Sequence, residues 1–412
     1  MIVCKFGGTS VAGLESSLLI KKIINSNQNR KMVIVSALGK SDDYRYKVTD
    51  KLFELYGNYS NREDYSNCIN DVFTRYEKMS EYLGVKINWN VQKQQLIRDL
   101  LEKRVTRAYV VSRGEYYSAL LYSKYLGGQF LDATDYIYFN KNGKLNINRT
   151  IKMLKTLDKG KLYVIGGFYG AFANKEVCVF DRGGSDITGA VMAKGLNAEI
   201  YENYTDVCGV YDKNPNVFVG AKNLPILSYK TTIQMAEAGN EVIHKDALLI
   251  LKNTQTILLI KDTINYMKLG TVVLDNGVVS DDLYICTMKT VCLLTKNVTN
   301  ELLTHIGHWG DIKNIYTNKN CYYVMVNNCV KSPDYLCECC GNKVEYVYVI
   351  KLFSNIKISK NNLKLAKKIA KMVKNYAFFC KFCAIDNNVT IICDGKYYGV
   401  VLKIINRCLQ KK

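Results

Sequence analysis

Through the first two thirds of the chain, short apolar runs bounded by glycine and polar turns alternate with stretches of helical spacing. That alternation predicts a mainly parallel α/β sheet. Ile2 to Phe6, Met32 to Ser36, Lys161 to Ile165, Val177 to Phe180, Glu199 to Tyr204, Gln255 to Lys261 and Thr271 to Leu274 read as strands, with shorter ones at Gln129 to Asp132 and Tyr136 to Phe139. Between them, the three- and four-residue recurrence of apolar positions predicts helices from about Ala12 to Asn25, over most of Val48 to Leu101, from Tyr116 to Leu126 and from Ile187 to Gly195. Glycines gather where strands end: Gly7-Gly8, Gly39, Gly166-Gly167 with Gly170, and Gly183-Gly184. Open α/β sheets place their ligand loops at such ends, and glycine lets a backbone approach a ligand closely.

The pattern changes after Asp275 to Asp282, where Asn276-Gly277 and Asp281-Asp282 supply turn chemistry and the glycine-rich loops stop. Two similar blocks follow, each with strands around a helix. The first runs Tyr284 to Thr295, His305 to Tyr316 (the helix) and Tyr322 to Val326. The second runs Val344 to Leu352, Leu363 to Tyr376 (the helix), Phe378 to Ile385 and Val389 to Cys393, closing with Val400 to Leu409. A weak repeat of β-α-β-β units reads as paired regulatory or interaction modules.

Composition narrows the class. A chain of 412 residues fits two or three domains, and 48% hydrophobic with 23% charged residues is globular. No 18-residue apolar run suggests a membrane span, and the N-terminal residues read as a first strand with no secretory signal pattern, so a soluble cytoplasmic protein is expected. The fifteen cysteines are scattered without regular spacing, which predicts reduced thiols. Cys337-Glu338-Cys339-Cys340 lacks the paired ligands of a zinc site, and His305 with His308 lacks a third ligand. The net charge of +20 comes from dispersed lysines. With no aromatic-and-basic strand motif of an RNA reader, nucleic acid is not the expected partner; acidic metabolites are.

Candidate chemistry lies in the loops. Asp181-Arg182-Gly183-Gly184-Ser185-Asp186 joins a strand to a helix start, where unpaired N–H groups, the positive dipole end and Arg182 suit an anion. Asp186 beside that site would repel the anion unless it pairs with a cation, so it reads as organising a catalytic lysine or a metal ion. Lys5 and Gly7-Gly8-Thr9-Ser10 form a second anion-handling loop, though without P-loop spacing. Ser36 and Thr49 read as caps or ligand hydroxyls, and Glu115, at an expected helix start, as a dipole complement.

In order along the chain, Lys5-Phe6-Gly7-Gly8-Thr9-Ser10-Val11, Val35-Ser36-Ala37, Val48-Thr49-Asp50, Ser112-Arg113-Gly114-Glu115 with Ser118, and Gly167-Phe168-Tyr169-Gly170 are followed by Arg182-Gly183-Gly184-Ser185-Asp186, Thr205-Asp206-Val207 with Gly209-Val210-Tyr211, and Glu241-Val242-Ile243-His244. This series resembles the aspartate kinases of the amino acid kinase superfamily. The resemblance implies an open αβα sandwich over residues 1–275, then two α+β ACT-like (ferredoxin-like) modules at 283–343 and 344–412, interleaved or in tandem. It implies transfer of the ATP γ-phosphoryl group to the side chain of L-aspartate, the first step toward lysine, threonine, methionine and diaminopimelate. Lys5 and Asp186 would be catalytic. Thr49, Glu115, Phe168, Arg182 and Ser185 would bind aspartate, with Glu115 taking its ammonium. Lys5, Phe6, Gly7, Gly8, Thr205, Asp206, Tyr211, Asn216 and Glu241 would line the nucleotide site, with Mg2+ held through the phosphates and no protein metal site. A homodimer or higher assembly and an amino-acid effector, lysine or threonine, at the ACT-like modules are implied as well. No dehydrogenase domain is expected.

Departures concentrate on the nucleotide side. Asn214-Pro215-Asn216 stands where the family has Asp-Pro-Arg, and Gly239-Asn240-Glu241-Val242 where it has Gly-Ala-Lys-Val, with Lys245 in place of a proline. Two cations are lost there, which opens a second reading, a weakly active or non-catalytic regulatory paralogue.

Overall fold

The computed structural model describes residues 1–102, 105–240, 242–276, 284–295, 311–318, 321–327, 343–353, 360–373, 375, 377, 379–383 and 388–410. The chain divides into two compact units: one holds residues 1–210, 223–236 and 241–278, the other 211–222, 237–240 and 279–412. The expected break near residue 275 is therefore crossed by two excursions of the earlier chain into the second unit.

The first unit is built on an eight-stranded sheet. In chain order its elements are β1 (Ile2–Phe6), α1 (Leu14–Asn25), β2 (Arg30–Val35), α2 (Val48–Asn61), α3 (Ser66–Leu83), α4 (Trp89–Glu102), α5 (Arg107–Leu126), β3 (Gln129–Leu131), α6 (Ala133–Tyr136), α7 (Ile147–Leu154), β4 (Tyr163–Gly166), β5 (Tyr169–Ala171), β6 (Val177–Val179), α8 (Gly184–Gly195), β7 (Ile200–Thr205), β8 (Ile226–Ser228), α9 (Tyr229–Glu237), α10 (Lys245–Leu251), β9 (Ile257–Asp262) and β10 (Thr271–Leu274). The sheet order is β3-β4-β2-β1-β7-β9-β10-β8, parallel throughout except for the antiparallel β9 and β10 pair, while β5 and β6 form a separate hairpin. The central strands are buried along nearly their whole length, as in a sheet covered on both faces. The glycine-marked ends of the parallel strands β1, β2 and β4 lie at one edge, as expected.

Two local predictions fail for identifiable reasons. Thr106 accepts the Tyr109 N–H and starts α5 at Arg107, so the helix runs through Gly114 and Glu115 sits in its middle, away from any dipole end. Tyr136 to Phe139 is not a strand: Asp132 caps a helical turn at Thr134, the Tyr138 N–H goes to Thr150 Oγ1, and only isolated bridges at Tyr138 and Phe139 remain.

A buried ion cluster ties the middle of this sheet together. Arg30 grips Glu202 with Nε at 2.6 Å and Nη2 at 2.9 Å, and Glu202 also accepts from the Cys4 thiol at 3.3 Å and the Tyr204 hydroxyl at 3.2 Å. Burial opposes the Glu202 charge, but the Arg30 hydrogen bonds and charge outweigh it and hold the carboxyl below its usual range. Stability from this pair is therefore present above the ordinary glutamate pKa and lost as pH falls through the depressed one. Glu202→Ala leaves Arg30 buried without its carboxylate and is expected to cost about 3–5 kcal/mol in denaturant unfolding, with Glu202→Gln costing less.

In the second unit, β11 (Tyr284–Thr295), β12 (Asp311–Asn318), β13 (Cys321–Asn327), β14 (Lys343–Phe353), β15 (Phe379–Cys383) and β16 (Asn388–Asp394) form one antiparallel sheet of order β12-β13-β11-β14-β16-β15. In each half the first strand pairs with the third and the third with the second, and the halves join through their first strands. The repeat read from the sequence is thus a structural repeat. Helices Lys360–Val373 and Gly395–Gln410 cover the second half, packing Ile369, Val373, Val401 and Ile405 against Ile350, Leu352 and Ile391, together with Phe218 from the 211–222 excursion. The helix expected from His305 to Tyr316 is corrected: residues from Asp311 are strand, because pairing with β13, including Ile315 opposite Val324, overrides local spacing. His305, His308 and Cys337 to Cys340 lie outside the described residues. Among the described residues, no helix is long and apolar enough to cross a membrane.

Candidate active site

Strand register assembles the first part of the site. β1 and β7 are parallel neighbours with Lys5 opposite Asn203, so both side chains leave the sheet on the same face. The first turn of α8 brings Asp186 to that face. Lys5 Nζ lies 2.8 Å from Asp186 Oδ1 and donates to Asn203 Oδ1 at 3.3 Å, while Asn203 Nδ2 donates to Asp186 Oδ1 at 3.1 Å. The second carboxylate oxygen accepts the His244 main-chain N–H at 3.1 Å. Lys5 is 9% exposed and Asn203 fully buried, so this triangle holds a cation rigidly at a strand end. These contacts fix Asp186 against Lys5. Among the described residues no group of three or more His, Cys, Asp or Glu side chains could hold a metal ion.

The α8 turn is shaped by close packing. Gly183, the N-cap, has φ of +60°, and a Cβ there would stand 2.3 Å from His244 Cγ. Gly183→Ala is expected to cost about 1–3 kcal/mol, read as a lowered unfolding midpoint, because it combines left-handed strain with overpacking. Phe168, a non-glycine residue at φ of +75°, is held on both sides: its N–H donates to Thr188 Oγ1 at 3.2 Å and its carbonyl accepts from Phe180 N at 2.9 Å. Backbone strain so over-determined is typical of functional sites. Ser185 Oγ accepts from Ser36 Oγ at 2.9 Å, and Arg182 is exposed on the approach to the helix.

Residues 36–39, after β2, join three parts of the site. Ser36 reaches Ser185; the Ala37 backbone lies beside the Glu115 carboxyl and favours its charged form; Gly39 N–H donates to Gly8 O at 2.8 Å. Glu115 is 5% exposed and its Oε2 is buried with no protein partner. Burial pushes its pKa up to about 8, partly offset by the Ala37 backbone. A buried carboxylate with an unanswered oxygen is a receptor for a cationic group.

Several expected contacts look different in three dimensions. The Gly7 N–H donates to Tyr204 O at 3.2 Å, so the sheet uses the amide that was assigned to phosphate. The Phe6 side chain is fully buried and stacked on Tyr204 at 4.8 Å, so it supports the loop from the core and cannot touch a nucleotide. Thr49 is half-buried in the first turn of α2, where Lys47 takes the cap position. Thr205 is half-buried at the end of β7, its Oγ1 donating to the exposed Asp206 at 3.1 Å. Tyr211 and Asn216 belong to the second unit, and Glu241 lies outside the described residues. Sequence reading missed Asn203 and left His244 without a role. A signal existed for Asn203, since an amide inside an expected buried strand needs partners.

A lysine fixed by aspartate and asparagine at the end of a parallel strand, beside two glycine-rich loops and a helix start, defines a phosphate-handling site of the phosphotransferase kind. Residues 1–262 match the model of the amino acid kinase family, and the chain belongs to that family. Aspartokinase 3 of Bacillus subtilis is 31% identical over 285 residues, covering 66% of this chain and 63% of that relative. The chain thus spans less than two thirds of the length of the curated relatives it matches. Among solved structures, aspartate kinase from Clostridium acetobutylicum superposes with a TM-score of 0.77 at 24% identity, covering 99% of both chains. E. coli aspartokinase III in complex with aspartate and ADP gives 0.77 at 20% identity over 100% of both chains. The fold, including the paired C-terminal modules, is that of these enzymes.

Proposed function

We propose that the protein is an aspartate kinase, transferring the γ-phosphoryl group of ATP to the side-chain carboxylate of L-aspartate to give 4-phospho-L-aspartate and ADP. The observation that carries the reading is the Lys5, Asp186 and Asn203 triangle, which holds one ammonium where charge accumulates during phosphoryl transfer. The aspartate carboxylate is already ionised at neutral pH and needs no general base. Its oxygen forms the new P–O bond as the bond to ADP breaks, and Lys5 neutralises the oxygens between them. Arg182 and Ser185 hold the amino acid's carboxylates and Glu115 its ammonium. Gly8, Thr205 and Asp206 are proposed for the nucleotide. Mg2+ arriving on the phosphates would supply further charge neutralisation, consistent with an Asp186 carboxylate fully engaged by Lys5, Asn203 and His244.

The repeated halves of the second unit support two ACT-like modules, 283–343 and 344–412, that bind an amino-acid effector such as lysine or threonine in a homodimer or larger assembly. Aspartate-dependent ADP release tests the reading. ADP should appear with ATP and L-aspartate and stay at background with L-glutamate or with no amino acid; equal release in all three conditions would overturn it.

A further inference from the structure

We propose that Arg75, on α3 and remote in sequence from every loop above, is a positioning residue that fixes the aspartate half of the site. The inference rests on the aspartate kinase reading. Arg75 is fully buried, and among the described residues the ionisable groups that act on it are Tyr44, Tyr46 and Tyr76. Its guanidinium instead meets main-chain carbonyls: Nη1 donates to Tyr46 O at 2.8 Å and Nη2 to Gly39 O. The rings of Tyr44 and Tyr46 lie 4.9 and 5.6 Å from its central carbon. A charge buried without a carboxylate is costly, and this one is spent on the two ends of a single excursion, residues 39–46.

That excursion continues from the segment that joins the site. With Gly39 pinned from below, Gly8 lies against it so closely that a Cβ on Gly39 would stand 2.5 Å from Gly8 C. Ala37, two residues earlier, packs against Gly114 beside Glu115, where a Cβ on Gly114 would stand 2.8 Å from Ala37 Cβ, and Ser36 reaches Ser185. The neighbouring Tyr76 acts on the other wall: its hydroxyl donates to Gly114 O at 2.7 Å, the carbonyl just before Glu115. Consecutive residues of α3 therefore hold both surfaces that meet at Glu115. Two of the three site contacts made by residues 36–39 fall on the aspartate side, so loss of the Arg75 clamp should act mainly there. Lysine cannot replace it, since one ammonium lacks the planar fork that spans two carbonyls while stacking on rings.

The test compares wild type, Arg75→Lys and Arg30→Lys, the last weakening a partly buried arginine of the Glu202 cluster, at the opposite end of β2 from residues 36–39. At similar loss of melting temperature, Arg75→Lys should raise the aspartate KM at least tenfold with the ATP KM within threefold, while Arg30→Lys leaves both within twofold. Identical KM values in the two variants would make Arg75 a stabilising residue only. If Arg75→Lys does not accumulate, Arg75→Gln, which keeps two donors without the charge, should raise the aspartate KM at least threefold; no change overturns the inference. A wild type that releases no ADP with aspartate sinks the enzyme reading instead. Hydrogen exchange then decides on Arg75: tenfold faster exchange over residues 37–48 in Arg75→Lys than in Arg30→Lys supports the clamp, and equal rates reject it.

Discussion

Lys5→Met is expected to lower kcat by about 10^3-fold while changing the KM values for ATP and aspartate by only a few fold. The reason is positional. Lys5 is held at 2.8 Å from Asp186 and 3.3 Å from Asn203, so its ammonium is in place before any ligand arrives and needs no reorganisation during transfer. Charge develops on the leaving β–γ bridging oxygen in the transition state, so removing a cation that answers it falls on kcat. Asp186→Asn should fall in the same direction with a smaller loss, since Asn203 still anchors Lys5. Steady-state kinetics with both substrates varied checks the split; a large rise in ATP KM with kcat retained would make Lys5 a binding residue.

The second large effect is at Glu115. Glu115→Gln should raise the aspartate KM by about 10^2-fold, because a buried charged hydrogen bond to the substrate ammonium is lost. The wild-type pH dependence carries the same information. With its pKa pushed up to about 8 by burial, Glu115 is mostly protonated at neutral pH in the ligand-free protein, and an ammonium ligand must displace that proton. The aspartate KM should therefore fall as pH rises toward about 8, close to tenfold per unit at the acidic end, and level off above. Stability runs the other way. A carboxyl whose folded pKa exceeds its unfolded one binds more protons when folded, so ligand-free stability falls between about pH 4.5 and 8. Thermal unfolding against pH should show that decline in wild type, a shallower one with saturating aspartate, and none from this residue in Glu115→Gln.

What was legible in the sequence follows from what is local. Apolar runs, helical spacing and strand-end glycines identify β1, β2, β4, β7 and their loops, because each is written in a few consecutive residues. Lys5, Arg182 and Asp186 could be proposed from residue type and loop position. Asn203 could not be joined to Lys5 without the β1 and β7 register, which no short stretch encodes. Glu115 was recognisable as a carboxylate in a motif, but its placement in mid-helix comes from the Thr106 cap and its raised pKa from burial. Phe6 shows the converse: within a motif, it faces the core because strand alternation sends it opposite to Lys5. The excursions 211–222 and 237–240 cross the expected domain boundary because tertiary contacts, not composition, decide where they pack.

Hydroxylamine trapping tests the central claim most directly. Folded protein incubated with ATP, magnesium, L-aspartate and hydroxylamine should yield aspartyl hydroxamate, seen by mass spectrometry, in molar step with ADP, and Lys5→Met should reduce both together. ADP without hydroxamate, or hydroxamate no higher than in Lys5→Met, would contradict an aspartate kinase.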